Sequence, residues 1–404
     1  MPILKDYQSF TGRHWETGSI CNALDYQGVK APHTGKAYSE AFLLGISGGI
    51  AFGYFTFHYK GYDPQLAILT RNTFDPLQTL LERLGIQQEV YQTDKAEKGL
   101  ANLLSVLEEG KPAIVWADAF SMPYEAFQRN EAYWAMWPMV VYGHEGARAM
   151  IADRAGVPLE VPAEALETAR ARVKTEKFRV VAIEAPKEDK LVSAANMAIW
   201  QCIRLFTEAP PKGTRNNFGL SGYQHWAKML TNTRNKQSWA RFFPAGRSML
   251  AALAGSGPLP GFADAVMAWG DGGGERARYA DFLNEAAILL ENDALSKAGE
   301  LFRESHAAWK AVLEASMPDE VALLGEARGL VLKRGELFVQ KGAEALDEIK
   351  AINGRLAELL DEAEAKFPLA EDELVRHRER MREAVLTIHD IEARAVESLK
   401  AAMS

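Results

Sequence analysis

Cysteine is scarce in this sequence, which has only Cys21 and Cys202 among its 404 residues. Two cysteines exclude a disulfide framework and favour a reducing compartment, so we expect a cytoplasmic protein. An excess of basic charge is also missing, because 46 Lys and Arg residues stand against 54 Asp and Glu residues. The resulting net charge of −8 argues against a nucleic-acid partner held mainly through phosphate contacts. We therefore expect no nucleic-acid partner.

A membrane-spanning run is missing as well. Residues 1–7 lack the basic region and apolar run of a signal peptide, so none is expected. Residues 41–57 carry no charge, but a helix of that length would reach only about 25 Å, short of the roughly 30 Å of a bilayer core. The stretch is also interrupted by small residues, namely Gly45, Ser47, Gly48, Gly49 and Gly53. This pattern predicts a helix end, a turn and a buried strand, without membrane association.

Motifs that would indicate a metal or a nucleotide cofactor do not occur in the sequence. The spacings HExxH and CxxC are missing, and so is the GxxxxGK[ST] loop. Six histidines are isolated, which favours ordinary surface or core positions for His33, His58, His225, His306, His377 and His389. The glycine run at 272–274 favours a loop with positive φ angles over an anion cradle. No metal and no cofactor are predicted.

Three consecutive segments differ in composition, and together they predict an α+β protein. Residues 1–185 alternate helix-like and strand-like stretches, which indicates a domain with a buried sheet. Residues 186–318 are predicted to be mostly helical, with tryptophans that suit a packed core: Trp200, Trp226, Trp239, Trp269 and Trp309. Residues 319–404 keep only Phe338 and Phe367 as aromatic residues and repeat apolar residues at helical spacing.

The last segment, 319–404, predicts two long antiparallel helices that form a hairpin with a charged outer face. Apolar residues recur from Leu346 to Ala363 and again from Leu374 to Leu399, with a helix stop at Phe367-Pro368 between them. The hairpin is expected to pack on its own domain. A homodimer contact through these helices is the second interpretation.

Two clusters in the first segment carry candidate chemistry. Residues 12–19, Gly-Arg-His-Trp-Glu-Thr-Gly-Ser, lead into the first helix. Residues 134–144 run from Trp134 through a strand to His144, and Asp153 follows the next strand. A helix start that faces two neighbouring strands is the geometry of a papain-like triad. In such a triad a nucleophile opens the helix, a base begins one strand and a carboxylate ends the next.

These clusters, together with other motifs in the same order, resemble the N-terminal domain of the butirosin biosynthesis protein H family. The matching stretches are Gly12, His14, Glu16 and Thr17; residues 39–50; residues 115–118 with Pro123-Tyr124; residues 140–143; and Ala152-Asp153. The second segment resembles the domain of unknown function that commonly follows, through residues 218–220, Ser238-Trp239 and residues 272–286. The resemblance ends near residue 315, so the C-terminal helices lie outside it.

The resemblance implies a papain-like fold and cysteine-based acyl transfer, in which an acyl chain passes from a carrier protein to an amine through a thioester on cysteine. It implies a small-molecule or acyl-carrier substrate as the partner. The family pattern has a cysteine where this sequence has Trp15 and a histidine where it has Trp137. Of the three triad positions, only Asp153 keeps the residue type of the family.

The first hypothesis is a divergent, catalytically impaired member that binds a small molecule or an acyl group in the former cleft. An indole is neither a nucleophile toward thioesters nor a base near neutral pH, and loss of either residue removes most of a triad's rate. Two tryptophans could close the cleft or form an aromatic floor for a ligand. The ligand-binding candidates are Trp15, Glu16, Asp118, Tyr124 and Trp137.

The second hypothesis is an active acyltransferase or amide-processing enzyme with a relocated nucleophile. Ser19 lies four residues after Trp15 and shares its helix face, whereas Cys21 lies about 240° around the helix. His144 lies seven residues after Trp137, on the opposite face of a strand but in a turn that can change its direction. The catalytic candidates are His14, Ser19, Cys21, His144 and Asp153.

The third hypothesis is a scaffold protein that assembles through the C-terminal helices.

Overall fold

The computed structural model describes residues 2–126, 134–267 and 272–404. Within these ranges the chain contains both long helices and strands, so the predicted α+β class is confirmed. Trp269, one of the tryptophans predicted to anchor the helical segment, lies outside the described residues. None of the helices in these ranges is long and apolar enough to cross a membrane.

Eight strands lie in the described parts of the chain, and most coincide with the apolar stretches of the sequence. They are β1 (Ile50–Phe57), β2 (Gln65–Arg71), β3 (Gln88–Tyr91), β4 (Ala113–Asp118), β5 (Met136–Glu145), β6 (Arg148–Ala152), β7 (Leu159–Pro162) and β8 (Val180–Ile183). The sequence does not predict β7, because only Leu159 and Val161 of its four residues are buried. Two alternating apolar residues are too few for a reliable strand signal.

The described helices follow the same chain order. They are α1 (Trp15–Tyr26), α2 (Glu40–Ile46), α3 (Pro76–Arg83), α4 (Ala96–Glu108), α5 (Ala163–Arg172), α6 (Leu191–Thr207), α7 (Gly219–Thr231), α8 (Trp239–Phe242), α9 (Arg247–Ala254), α10 (Phe262–Met267), α11 (Arg276–Leu289), α12 (Ala294–Ser316), α13 (Ala322–Lys341), α14 (Leu346–Ala365) and α15 (Glu371–Ala402). Short 3₁₀ turns connect some of them, including one at Gly342–Ala345 between α13 and α14.

The chain packs into two compact units, and each is assembled from three separate stretches. Unit 1 comprises Met1–Leu43, Leu77–Ala194 and Glu336–Lys350. Unit 2 comprises Leu44–Pro76, Ala195–Gly335 and Ala351–Ser404. The division into residues 1–185, 186–318 and 319–404 describes composition along the sequence and stays a prediction about domains.

Unit 1 is built on a six-stranded antiparallel sheet with the strand order β3-β8-β4-β5-β6-β7. Its central strands carry buried apolar runs: residues 139–141 of β5 and all four residues of β8 are buried. Strands that are covered on both faces need such continuous apolar runs. Helix α1 packs against β5 and β4, and α5 also packs against β4.

Unit 2 is mainly helical and contains the antiparallel pair β1–β2. The sequence analysis assigned these two strands to the same sheet domain as β4–β6, but the described residues place them in a separate two-stranded sheet. Helix α7 packs against β1, whereas α9 and α10 pack against β2. The core between them is aromatic, with Phe52 stacked on Tyr223 at a ring distance of 3.7 Å and with Trp226, Trp239 and Trp309 buried.

The two long C-terminal helices are present as α14 and α15, and the break predicted at Phe367-Pro368 lies between them. Helix α15 packs extensively against α12 and α7, and its predicted pairing with α14 as a hairpin stays a prediction. The apolar stripe of α15, which includes Met381, Val385 and Ile388, is fully buried. A periodic stripe shows that a helix has a partner, but it does not show which helix that partner is.

Candidate functional site

The first turn of α1 is organised by its N-cap residue, His14. The His14 backbone is extended, and its Nδ1 accepts a hydrogen bond from the backbone N–H of Glu16 at 3.1 Å. A side chain that accepts from the first turn satisfies one of the N–H groups left without an intrahelical partner. One ring nitrogen of His14 is therefore used to hold the helix start, and the ring is buried.

A buried carboxylate, Glu40, clamps the same helix start from α2. Its oxygens accept hydrogen bonds from the backbone N–H groups of Arg13 and His14, both at 2.8 Å, and from the Thr17 hydroxyl at 2.9 Å. A negative group at a helix N-terminus is favourable because the helix dipole is positive there. Nothing in the sequence marks Glu40 as a site residue, although it belongs to one of the stretches that resemble the family.

Two glycines allow the chain before α1 to pass close to the helix. A Cβ on Gly12 would overlap the backbone of Gly18, and one on Gly18 would lie 2.9 Å from the backbone nitrogen of Arg13. The N–H of Gly12 also donates to Asn22 Oδ1 at 2.9 Å. The Gly-x-His start of the motif therefore has a steric reason, since no side chain fits at Gly12.

Trp15 and Trp137, the positions at which the family resemblance implies a nucleophile and a base, lie together. Trp15 is the first residue of α1, and Trp137 lies on β5 opposite Ala117 of β4. Their ring centroids are 4.5 Å apart and the ring planes differ by 8°, so the indoles are stacked. Both side chains are half-buried. The structure therefore brings together the two positions that the sequence analysis assigned to one cleft.

Asp153, the retained third position, lies at the end of β6 in a buried polar cluster. Its Oδ2 accepts a hydrogen bond from the Tyr124 hydroxyl at 3.1 Å and forms an ion pair with Arg154 at 3.2 Å. Glu125 forms a second, very close ion pair with Arg154. Burial raises the pKa of Glu125, an effect that Arg154 opposes. Burial, with the nearby Asp153 charge, raises the pKa of Tyr124 well above its usual value, so the phenol stays protonated.

The guanidinium of Arg154 joins this cluster to the indoles. Its Cζ lies 4.7 Å from the centroid of the Trp137 ring and 5.0 Å from that of Phe338. On the other side of the pair, the His14 ring lies 4.5 Å from Trp15. Five groups thus form one continuous column, which we call the aromatic column: His14, Trp15, Trp137, Arg154 and Phe338. Trp15 and Arg154 therefore both lie over the Trp137 indole.

The candidate nucleophiles Ser19 and Cys21 are buried and engaged with backbone carbonyls. Ser19 Oγ donates to the carbonyl oxygen of Pro138 at 3.3 Å, beneath the indole pair. Cys21 Sγ donates to the carbonyl oxygen of Tyr38 at 3.4 Å, away from β5. In unit 2, burial raises the pKa of Cys202 to about 12, and its thiol donates to the carbonyl oxygen of Ile50. A neutral, buried thiol of this kind is a poor nucleophile.

His144 lies at the far end of β5 from the indole pair. It is paired with Ala149 next to the turn between β5 and β6, whereas Trp137 lies near the start of β5. Seven residues of strand separate the two by about 23 Å at 3.3 Å per residue. Asp153 directly follows Ala152, which pairs with Val140 of β5. Its carboxylate therefore lies toward the end of β5 that carries Trp137. The structure therefore does not bring His144 to the other candidates.

The remaining ligand-binding candidates are divided between the two faces of the sheet. Glu16 lies in the first turn of α1, beside the indoles. Asp118 neighbours Ala117, the partner of Trp137, so its side chain points to the opposite face. There it accepts hydrogen bonds from Ser121 Oγ and the Ala135 N–H and pairs with Arg172 at 2.8 Å. Asp118 consequently supports the loop after β4 rather than the indole site.

The described residues hold no group of three or more His, Cys, Asp or Glu side chains placed to bind a metal ion.

The fold and the site define an α+β protein in which the start of α1 meets the beginning of β5 and the end of β6. Residues 14–154 match the family model described as "Butirosin biosynthesis protein H, N-terminal". This segment, which runs from His14 to Arg154, is therefore similar to the N-terminal domain of that family. No curated protein matches the chain.

Proposed function

We propose that this protein is a divergent butirosin-H-type protein with a papain-like unit 1. In this proposal the former acyl-transfer cleft binds a small molecule or an acyl group without turning it over. The observation that carries the proposal is the stacked pair of Trp15 and Trp137 at the positions where the family has its nucleophile and base. The papain-like assignment is supported by α1, which packs with its first residue facing an antiparallel sheet.

The chemistry of the three triad positions argues against acyl transfer at this cleft. An indole has no thiolate or alkoxide to attack a thioester, and its N–H neither gains nor loses a proton near neutral pH. Asp153, which would orient a histidine base in the family, is bound instead to Tyr124 and Arg154. Removal of either nucleophile or base eliminates most of the rate of a catalytic triad, so the double replacement leaves no route through this geometry.

The same geometry supports a binding surface. Trp15 and Trp137 are half-buried, and their stacking, with Arg154 over Trp137, leaves the ring edges as the binding surface in this proposal. Ring edges are apolar apart from the indole N–H groups, so they suit an acyl chain or a compact apolar group better than a charged one. Glu16, in the first turn of α1, is the polar candidate at the rim.

The experiment uses an acyl thioester of N-acetylcysteamine and intact-protein mass spectrometry. The native protein should bind the thioester in a calorimetric titration and acquire no acyl mass. The doubly substituted Trp15→Cys/Trp137→His protein should acquire one acyl group, because the clamped helix start and Asp153 are retained. Adding Asp153→Asn to that variant serves as the matched control and should slow acylation. A covalent adduct on the native protein, or no binding to it, would contradict the proposal.

The relocated-nucleophile hypothesis stays a prediction that the same experiment tests. If the native protein were acylated, loss of the adduct in Ser19→Ala or Cys21→Ser would identify the nucleophile. The positions of Ser19, Cys21 and His144 described above do not favour it, because none contacts Asp153 in the described structure. A homodimer through the C-terminal helices also stays a prediction, and light scattering of the purified protein tests it.

A further inference from the structure

Unit 1 includes a stretch that comes from the far end of the chain, Glu336–Lys350. We call residues 336–345, the last turns of α13 and the 3₁₀ turn after it, the strap. The carbonyl oxygen of Val339 accepts a hydrogen bond from the Gly156 N–H at 2.8 Å. Phe338 lies 6.2 Å from the Tyr124 ring and 5.0 Å from Arg154. The strap therefore contacts the loop after β6, which carries Asp153 and Arg154.

The turn at the end of the strap is pressed against the same loop. Gly342 has a φ of +53°, and a Cβ there would lie 2.8 Å from Leu159 and 3.0 Å from Val157. Only glycine fits both this backbone conformation and this space. Ala345, at the end of the turn, is fully buried. The strap is thus seated at two points, through Phe338 and Val339 at one end and through Gly342 at the other.

Glycines in the flanking helices give the strap weak points on both sides. Gly335 lies in α13 directly before it, and Gly354 lies in α14 after it. A Cβ on either would meet nothing within 4 Å, so packing does not require glycine at these positions. Glycine inside a helix weakens it relative to alanine. Proteins open locally in cooperative units below the free energy of global unfolding, and weakened helix at both ends would let the strap open as such a unit.

We propose that the strap is a releasable closure that holds Arg154 against Trp137 and so controls access to the indole pair. In the closed state Phe338 and the Trp137 indole both lie against the Arg154 guanidinium. When the strap lifts, Arg154 loses its contact with Phe338 and the covered face of Trp137 opens. The biological purpose, ligand entry, rests on the proposed function, but the motion itself is tested without any ligand.

Hydrogen exchange of the full-length protein tests the release directly, because the Gly156 amide donates to the strap. We expect Phe338→Ala to make this amide exchange about tenfold faster, since the cation–π and aromatic contacts are lost. The matched control is Gln340→Ala, an exposed strap residue, which should leave the rate unchanged. An unchanged Gly156 rate in Phe338→Ala would overturn the proposal. So would equal acceleration at Val140 of the central strand, which would mean that the whole unit opens.

Thiol labelling with a small maleimide then tests access. In a Trp137→Cys background, where the native Cys21 and Cys202 are buried, adding Phe338→Ala should increase labelling several-fold. Adding Gly335→Ala should slow labelling more than adding Gly329→Ala does. Gly329 is the matched control, because it lies in α13 outside the strap and has equally open surroundings. Labelling rates that respond to neither change would refute the closure. No acyl group is involved, so these results stand apart from the acylation experiment.

Discussion

Replacing Glu392 with glutamine removes the negative charge from the most fully enclosed ion pair of unit 2. Neither the Glu392 nor the Arg276 side chain is exposed to solvent, and Arg276 Nε donates to Glu392 Oε1 at 2.8 Å. The Glu392 carboxylate accepts further hydrogen bonds from Tyr223, Ser305 and Trp309. Burial lowers the pKa of Arg276, but Glu392 and Tyr223 together raise it above its usual value, so the guanidinium stays charged.

The size of the effect follows from what remains around Arg276 after the change. Removing one partner of a buried ion pair costs about 3–5 kcal/mol, because the other charge is left uncompensated. Arg276 also donates to three backbone carbonyls, those of Thr70, Gly274 and Ala51, which still solvate part of its charge. Glutamine keeps the shape of glutamate and leaves no cavity. We therefore expect a loss near the lower end, about 3 kcal/mol.

Urea unfolding followed by tryptophan fluorescence measures this loss, since Trp226, Trp239 and Trp309 are buried in unit 2. The matched control is Glu397→Gln, on the same helix, where the glutamate pairs with Lys400 at the surface. Exposed pairs contribute about 0–1 kcal/mol, so the control should barely move the midpoint. If Glu392→Gln cost no more than Glu397→Gln, the reasoning from burial would be refuted.

Three further predictions concern stability. Burial lowers the pKa of His377 to about 4, so the unfolded chain binds a proton at this residue more readily than the folded chain does. The free energy of unfolding should therefore fall as the pH drops from about 6.5 to 4. The His377→Leu protein should show a weaker pH dependence in that window, and an unchanged dependence would count against the argument. Gly12→Ala should lower the melting temperature, because a Cβ there overlaps the backbone of Gly18. Gly329→Ala should raise the free energy of unfolding by about 1 kcal/mol, because a Cβ there meets nothing within 4 Å. Equal shifts for the two variants would contradict the steric argument. Glu40→Gln should lower the free energy of unfolding in urea by about 1–3 kcal/mol, because the start of α1 loses charge-assisted hydrogen bonds. An unchanged free energy would mean that the Glu40 contacts do not stabilise the helix start.

Much of the candidate site could be predicted because its parts are local in sequence. The glycine and histidine before α1 signal a helix start, and the apolar runs at residues 139–142 and 149–152 signal neighbouring strands. These patterns give a helix start and two neighbouring strands, and the family resemblance adds the expectation that Trp15, Trp137 and Asp153 come near one another. The structure brings the two indoles into a stack and places Asp153 beside Arg154, which contacts one of them.

Other parts of the site could not be predicted because they depend on contacts between distant stretches. Glu40 reaches the start of α1 from the next helix, and nothing in its own neighbourhood shows that it would be buried. Phe338 reaches Arg154 from a segment outside the family resemblance. The role of Glu40 can be recognised only from the structure, as a buried acid that accepts from backbone N–H groups. No sequence motif around Phe338 predicts its contact with Arg154.

By itself, the sequence determined the α+β class, the positions of most helices and strands, and the order of the motifs that carry the family resemblance. These follow from apolar periodicity and from motif order, which local physics reads directly. Only the tertiary structure decided that α15 packs on α12, that β1 and β2 leave the main sheet, and that Phe338 completes the aromatic column. The reason is that an apolar stripe requires burial without specifying its partner, and long-range packing makes that choice.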